Sequence, residues 1–404
     1  MMFDSARRDF LTSVGLTSMT GLAGCATPGA NAEATTSPYG FAPGLIYLNT
    51  ASLGPTPRSV FERTMAAWRE IETNPVRQSY RGDVALAAES ARQRAAAFLG
   101  CDMGELLITR STTEAMNSIA QGIVLERGDR VLTTNHEHHG GEFCWQYLQR
   151  KRGVEVDVVR IPLTEHDPAA ILGRFEAAIT RRTRVISLSH VLTTNGLRMP
   201  ITEIAALARA RNVLCIVDGA QAIGEIPVDL HALGCHAYAG AGHKWLMGPK
   251  GTGFLYVSND AAERIEPMQR QDGPAYVSNS AGMGAVPLIV GLGAAIDEAQ
   301  ARGMPAVVAR ILALRSRVYQ GLSSIPGIEV ASPPDGATAS ALVAVRLPAE
   351  MPARALQLGL RDRHNITVKF VEEHYFNGIR LSAHIFNTEA EIDFAIDAIR
   401  GELA

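Results

Sequence analysis

The sequence has no apolar run that approaches the roughly 20 residues needed to cross a bilayer, no internal repeat and no excess of basic charge. Its formal net charge is −3 over 404 residues, which argues against nucleic acid as a main partner. Cysteine is scarce, with five residues: Cys25, Cys101, Cys144, Cys215 and Cys235. Their spacing matches neither a disulfide framework nor a zinc site, and Cys215 and Cys235 fall in apolar runs that read as core. No Gly-x-Ser-x-Gly elbow is present, which removes the hydrolases built on that turn. What remains is ordinary globular composition, 47% hydrophobic and 20% charged, in a chain long enough for one large and one smaller domain.

The first 25 residues differ from the rest. Arg7-Arg8 precede Phe10-Leu11, a weakly apolar Thr/Ser/Gly/Leu stretch follows, and Leu22-Ala-Gly-Cys25 closes the segment. The arginine pair has the form of a twin-arginine export signal, and the Leu-Ala-Gly-Cys run has the form of a bacterial lipobox whose cysteine is lipidated. The expectation is an exported protein, periplasmic and anchored to a membrane only through Cys25. The bland alternative is a frayed tail with a chance Arg-Arg pair. Residues 26–38 carry no large apolar side chain and read as a flexible tether.

From about residue 100 to 257 strand-like and helix-like runs alternate. Strands are expected at Leu106–Thr109, Arg130–Thr133, Val154–Ile161, Arg184–Ser189, Val213–Asp218, Cys235–Gly240 and Gly253–Val257, with helices at Thr112–Val124, Pro168–Ile179 and Pro200–Ala210. Several strands are apolar on successive residues, as strands covered on both faces are. The alternation predicts an α/β domain with a mainly parallel sheet. Beyond about 285, helices at 285–302 and 305–323, short strands near 341–347 and 377–383, and a last helix over 388–402 predict a smaller α+β domain. The expected division is 39–300 and 301–404, with the turn-rich segment 39–57 packed near the functional site.

In an open α/β sheet, ligands bind beyond the C-terminal strand ends. There the sequence places Asp218, closing Val-Leu-Cys-Ile-Val-Asp at 213–218, and Ala-Gly-His-Lys-Trp at 241–245, just before the glycine-rich 248–253. A strand-end aspartate followed by a lysine between histidine and an aromatic is what a pyridoxal-phosphate site needs. The lysine amine carries the cofactor covalently, and the aspartate keeps the ring nitrogen protonated. Ser111-Thr112-Thr113 opens a helix after a strand, where hydroxyls and free N–H groups suit a phosphate. Taken singly, Thr112 and Thr113 read as helix caps more readily than as phosphate ligands, and Asp218 could be a loop aspartate capping its own turn; it is their joint placement before Gly-His-Lys-Trp that favours the functional reading.

Together these segments resemble the class V aminotransferase family of fold-type I pyridoxal-phosphate enzymes, in its isopenicillin N epimerase-like branch. The segments are Tyr47-Leu-Asn-Thr-Ala-Ser-Leu-Gly-Pro, Ser111-Thr-Thr-Glu-Ala-Met-Asn117, Glu137-His-His139 with Trp145, Val217-Asp-Gly-Ala-Gln-Ala222, His243-Lys-Trp and Gly378-Ile-Arg-Leu-Ser382. The resemblance spans about residues 45–400 and implies the fold-type I architecture, a homodimer and an amino-acid substrate. It implies Lys244 as the cofactor lysine, Asp218 on the pyridinium nitrogen, Gln221 on the ring hydroxyl and His138 stacked on the ring. It implies Thr112, Thr113 and His243 on the phosphate, with His190 nearby in the cofactor site. Arg380 would hold the substrate α-carboxylate as a bidentate partner, with Asn49 and its neighbours lining the substrate end. An ordinary strand-end ion pair is the bland reading of Arg380. His136, His138 and His139 could pass for a metal site, but the resemblance assigns His138 to the ring, and no metal is expected.

The chain departs from the family pattern in three places. Ala241 stands where many relatives have a phosphate-binding serine. Gly282-Met283 stands where a partner subunit often supplies a threonine. Residues 364–379 hold no cysteine, so the persulfide chemistry of cysteine desulfurases is not expected. Racemisation or epimerisation at Cα is the leading expectation, with transamination or C–S lysis as alternatives and an exported, non-catalytic binder of pyridoxal phosphate or an amino acid as a reading of another class.

Overall fold

Seven strands form the central sheet of the computed structural model, which describes residues 37–266, 277–278 and 282–404. Across the sheet they run Leu106–Thr109, Gly253–Val257, Ala237–Ala241, Leu214–Gly219, Thr183–Ser189, Arg130–Thr134 and Glu155–Val159. All pairings are parallel except those of Gly253–Val257, which runs antiparallel to both neighbours. Every residue of Leu214–Gly219 and of Ala237–Ala241 is buried. Helices cover both faces, which is why these strands are apolar without alternation.

Helix boundaries follow local chemistry. Ser111 caps Thr112–Gly122 by accepting the Glu114 N–H at 3.1 Å. Asp167 accepts two N–H groups at the start of Pro168–Ala178, where proline occupies the first turn. Thr388 and Glu391 form a capping box at the start of Glu389–Leu403. The expected strand over 154–161 is shorter, ending at Val159, and the expected helix over 112–124 ends at Gly122. Helices Arg58–Thr73, Asp83–Leu99, His139–Arg152 and Ala353–His364 are additional to those expected.

A second sheet of four antiparallel strands runs Glu329–Val330, Leu342–Arg346, Gly378–Ser382 and Lys369–Val371. Helices Met304–Ser323, Ala353–His364 and Glu389–Leu403 enclose an apolar core on it that includes Leu314, Val343, Leu381 and Ile396. The chain turns toward this sheet at Gly303, whose φ of 77° ends the helix Val286–Arg302. Residues Pro38–Ala404 form one compact unit.

The N-terminal segment ties the two sheets together. Ile46–Tyr47 pairs in parallel with Ile366–Thr367. Ser382 N–H donates to the Leu48 carbonyl at 2.8 Å, and Gly54 N–H donates to the His243 carbonyl at 2.9 Å. A Cβ on Gly54 would lie 1.9 Å from the Lys244 carbonyl oxygen, so only glycine allows this approach. The expected signal, lipidation site and most of the expected tether lie outside the described residues. Among the described residues no helix is long and apolar enough to cross a membrane.

Candidate active site

The parallel strand ends open into a cleft of about 300 Å³. Lys244 enters it from the turn after Ala237–Ala241, and Asp218 enters from the adjacent strand. His138 comes from the far side of Asp218, as the cap residue of His139–Arg152. Arg380 reaches across from the second sheet.

Lys244 carries a chemically unusual amine. Burial pushes its pKa down to about 8; Asp218 pulls it back up, while Arg380 lowers it further. The run holds a second lysine, Lys250, but its Nζ donates to the Gly54 carbonyl at 2.6 Å and to Thr56 Oγ1 at 2.8 Å. Lys250 therefore fastens the N-terminal segment, while Lys244 faces the cleft.

Asp218 is buried, and its Oδ1 accepts the Ala220 N–H at 2.9 Å. The helix carrying His138 packs against its other oxygen. A Cβ on Gly141 would stand 2.8 Å from Asp218 Oδ2, so glycine is what lets helix and carboxylate approach. Gln221 is fixed at both ends of its amide: Oε1 accepts the Trp245 indole N–H at 2.9 Å and Nε2 donates to the Ala51 carbonyl at 3.0 Å. One amide N–H remains for a ligand. His138 Nδ1 accepts the Gly140 N–H at 3.0 Å, which places the ring proton on Nε2. Burial, and then the Lys244 charge, lower its pKa, which favours the neutral ring.

At the opposite end Thr112 and Thr113 line the cleft in the first turn of their helix, where N–H groups have no intrahelical acceptor. Thr112 Oγ1 is buried with no hydrogen-bond partner. A buried, unpaired hydroxyl is costly, and a phosphate oxygen would satisfy it. His243 donates from Nδ1 to the Thr252 carbonyl at 2.7 Å, leaving Nε2 toward the cleft. Its pKa is lowered by burial and then by Lys244 and Lys250, and a phosphate dianion beside it would act in the other direction. The residues present thus fit pyridoxal phosphate, with an amine for the aldehyde, a carboxylate for the ring nitrogen and donors for the phosphate.

Two expected residues are not on the cleft wall. His190 is buried behind it, with Nδ1 2.9 Å from Tyr238 Oη, and burial pushes its pKa down to about 3. It serves the packing beneath Asp218, whose carbonyl accepts the His190 N–H. Asn49 meets the cleft only through Ser52, whose Oγ donates to Asn49 Oδ1 at 2.7 Å. Of the three clustered histidines, His136 turns into the core, 2.8 Å from Thr194 Oγ1 and 2.7 Å from the Ile161 carbonyl, while His139 is largely exposed. They do not converge on one point.

Ser52 lines the cleft as a neighbour of Asn49, whereas Thr193, Lys369, Glu372 and Tyr375 line it without having been expected there. Lys369 and Glu372 pair at 2.8 Å, and Tyr375 donates its hydroxyl to the Glu137 carbonyl. The Glu137 side chain is buried, accepting from Thr134 Oγ1 and Ser189 Oγ, and burial pushes its pKa up to about 7. Among the described residues no cysteine lines the cleft. Ala241 is buried in its strand, and Met283 is exposed on the short hairpin it forms with Val277–Ser278.

A lysine–aspartate pair at parallel strand ends, with a helix start suited to a phosphate beside it, fits a fold-type I pyridoxal-phosphate enzyme. The aminotransferase class-V family model matches residues 46–394, and the chain belongs to that family. It is 33% identical over 385 residues to an isopenicillin N epimerase of Streptomyces clavuligerus, covering 89% of this chain and 96% of the relative. It is 30% identical over 375 residues to a probable cysteine desulfurase of Methanothermobacter thermautotrophicus, covering 86% and 92%. Among solved structures, the cystine C–S lyase C-DES in complex with its product cysteine persulfide superposes with a TM-score of 0.77 at 25% identity, over 88% of this chain and 97% of that one. An apo cysteine desulfurase of Thermococcus onnurineus shares the fold, with a TM-score of 0.79 at 23% identity, over 89% and 94%. The protein is a pyridoxal-phosphate-dependent enzyme.

Proposed function

We propose that the enzyme labilises the Cα–H bond of an amino-acid substrate and returns the proton with inversion, as a racemase or epimerase. The observation that carries this reading over a desulfurase is the absence, among the described residues, of any cysteine from the cleft wall, and its absence from residues 364–379, which removes the nucleophile a desulfurase needs. Similarity to isopenicillin N epimerases over nearly their whole length supports it.

When bound, pyridoxal phosphate supplies an aldehyde for a lysine and a ring that accepts electrons from Cα. Asp218 would keep the ring nitrogen protonated, Gln221 would offer its remaining N–H to the ring hydroxyl, and His138 would cover the ring. Thr112, Thr113 and His243 would hold the phosphate, with main-chain N–H groups of the helix start taking the place of the serine for which Ala241 stands. Arg380 would bind the substrate carboxylate, and the Lys244 amine would take the Cα proton on its Nζ.

Two measurements test this. Purified protein should be yellow, and borohydride should bleach it; a colourless protein that takes up no added pyridoxal phosphate overturns the reading and favours a non-catalytic binder. Holoenzyme in deuterium oxide, screened against L- and D-amino acids, should place deuterium at Cα while the opposite configuration accumulates. Oxo-acid formation without inversion would instead identify an aminotransferase, and thiol or persulfide release from cystine a C–S lyase.

We further propose that residues 1–25 export the protein by the twin-arginine route and that Cys25 anchors it to a membrane through lipid, with 26–38 as tether. Export of a folded chain suits an enzyme that must acquire its cofactor first. Labelled palmitate should enter the wild type and not Cys25→Ser; equal labelling refutes lipidation there. We also propose a homodimer, with exposed Met283 at the subunit boundary.

A further inference from the structure

Arg380 is about 95% buried, yet among the described residues it forms no ion pair with a carboxylate. Neutral acceptors hold it instead. Its Nη1 donates to the main-chain carbonyl of Thr193 at 2.7 Å and to Thr193 Oγ1 at 2.6 Å. Its Nη2 makes only a long contact, 3.4 Å, with Ser52 Oγ. Its Nε is buried and has no partner. One residue therefore occupies one end of the guanidinium twice over, while on the Nε–Nη2 edge of this cleft-lining residue Nε has no acceptor and Nη2 only a distant one. That edge is one of the two along which a guanidinium grips a carboxylate with parallel hydrogen bonds.

We infer that Thr193 is the positioning residue that selects this edge of Arg380, so that the enzyme recognises amino acids with a free α-carboxylate through Nε and Nη2. The proposal rests on the reading of Arg380 as the carboxylate site. Sequence alone hides it, because Thr193 lies in a loop after Ser189 and is 187 positions from the arginine it holds. Both acceptors belong to one residue, so losing the hydroxyl leaves an Nη1 hydrogen buried and unpaired. The guanidinium then turns to recover a partner, and its open edge is misaligned.

The test compares glycine with glycinamide, which differ in the carboxylate. Each is titrated into holoenzyme and followed by the change in cofactor absorbance, which reads binding rather than turnover. Wild type should prefer glycine. Thr193→Val, which keeps the shape and the main-chain carbonyl, should weaken glycine about 10- to 100-fold and leave glycinamide unchanged. Thr193→Ser should restore the preference. Equal melting temperatures and unchanged cofactor absorbance in the variants confirm that the fold and the cofactor site are intact. Thr193→Ala serves the same purpose if the valine variant does not fold. An undiminished glycine preference in the Thr193 variants, with Arg380→Gln abolishing it, overturns the role of Thr193 alone. A glycine preference that survives Arg380→Gln overturns the carboxylate site and the inference with it.

Discussion

Lys244→Ala should abolish turnover, with a loss of at least about 10³-fold, because the residue that attaches the cofactor is also the one that moves the Cα proton. The variant should still bind pyridoxal phosphate through Asp218, Thr112, Thr113 and His243, but borohydride should no longer fix it to the protein. Retained covalent fixation would show that Lys250 or Lys369 can replace it. Their existing partners, the Gly54 carbonyl and Glu372, speak against that. The depressed pKa adds a pH signature. Only the neutral amine attacks an aldehyde, and the neutral fraction of Lys244 grows as pH rises through about 8. Cofactor uptake by apoprotein should accelerate over that interval and level off above it. A rate that is still climbing near pH 10 would mean the amine is not desolvated as described.

Asp218→Asn should be the next most damaging change, lowering kcat about 10²- to 10³-fold by removing a preorganised charge. The substitution preserves shape and can still accept the Ala220 N–H, so the fold and cofactor content should survive. Because Asp218 raises the Lys244 pKa, its neutralisation should also move the midpoint of cofactor uptake to a pH below the wild-type value. Stopped-flow uptake curves for the two proteins check this. A lowered kcat with an unmoved midpoint would place Asp218 on the ring nitrogen but out of electrostatic reach of Lys244.

The strands that position these groups were legible because burial on both faces writes itself as an apolar run: Leu106–Thr109 and Gly253–Val257 have the expected bounds. The helix Asp83–Leu99 was not, since its buried stripe is mostly alanine, with Ala85, Ala88, Ala91, Ala95 and Ala96 against the helix Val286–Arg302. Small residues that allow close packing leave little hydrophobic contrast to read. His139–Arg152 was hidden by Gly140-Gly141, which look like a break; close approach to Asp218 is what requires the second of them. At the site, the resemblance pointed to residues by type, and geometry separated them. His190 has a suitable side chain but spends it on Tyr238. Thr193 and Ser52, unremarkable by type, matter through what they touch, and such contacts leave no mark on local sequence.

The crossing of the N-terminal segment between the two sheets has a consequence for biosynthesis. Residues 46–54 emerge early from the ribosome, yet their partners at Ile366–Thr367 and Ser382 are among the last to be made. Arg380 arrives with them. A nascent chain lacking its final 40 or so residues can form much of the central sheet, but it cannot seat Leu48 or Ala51, and so cannot complete the wall on which Gln221 rests. Cofactor capture should therefore await the C-terminal strands, and truncation at either end of this compact unit should cost the same property.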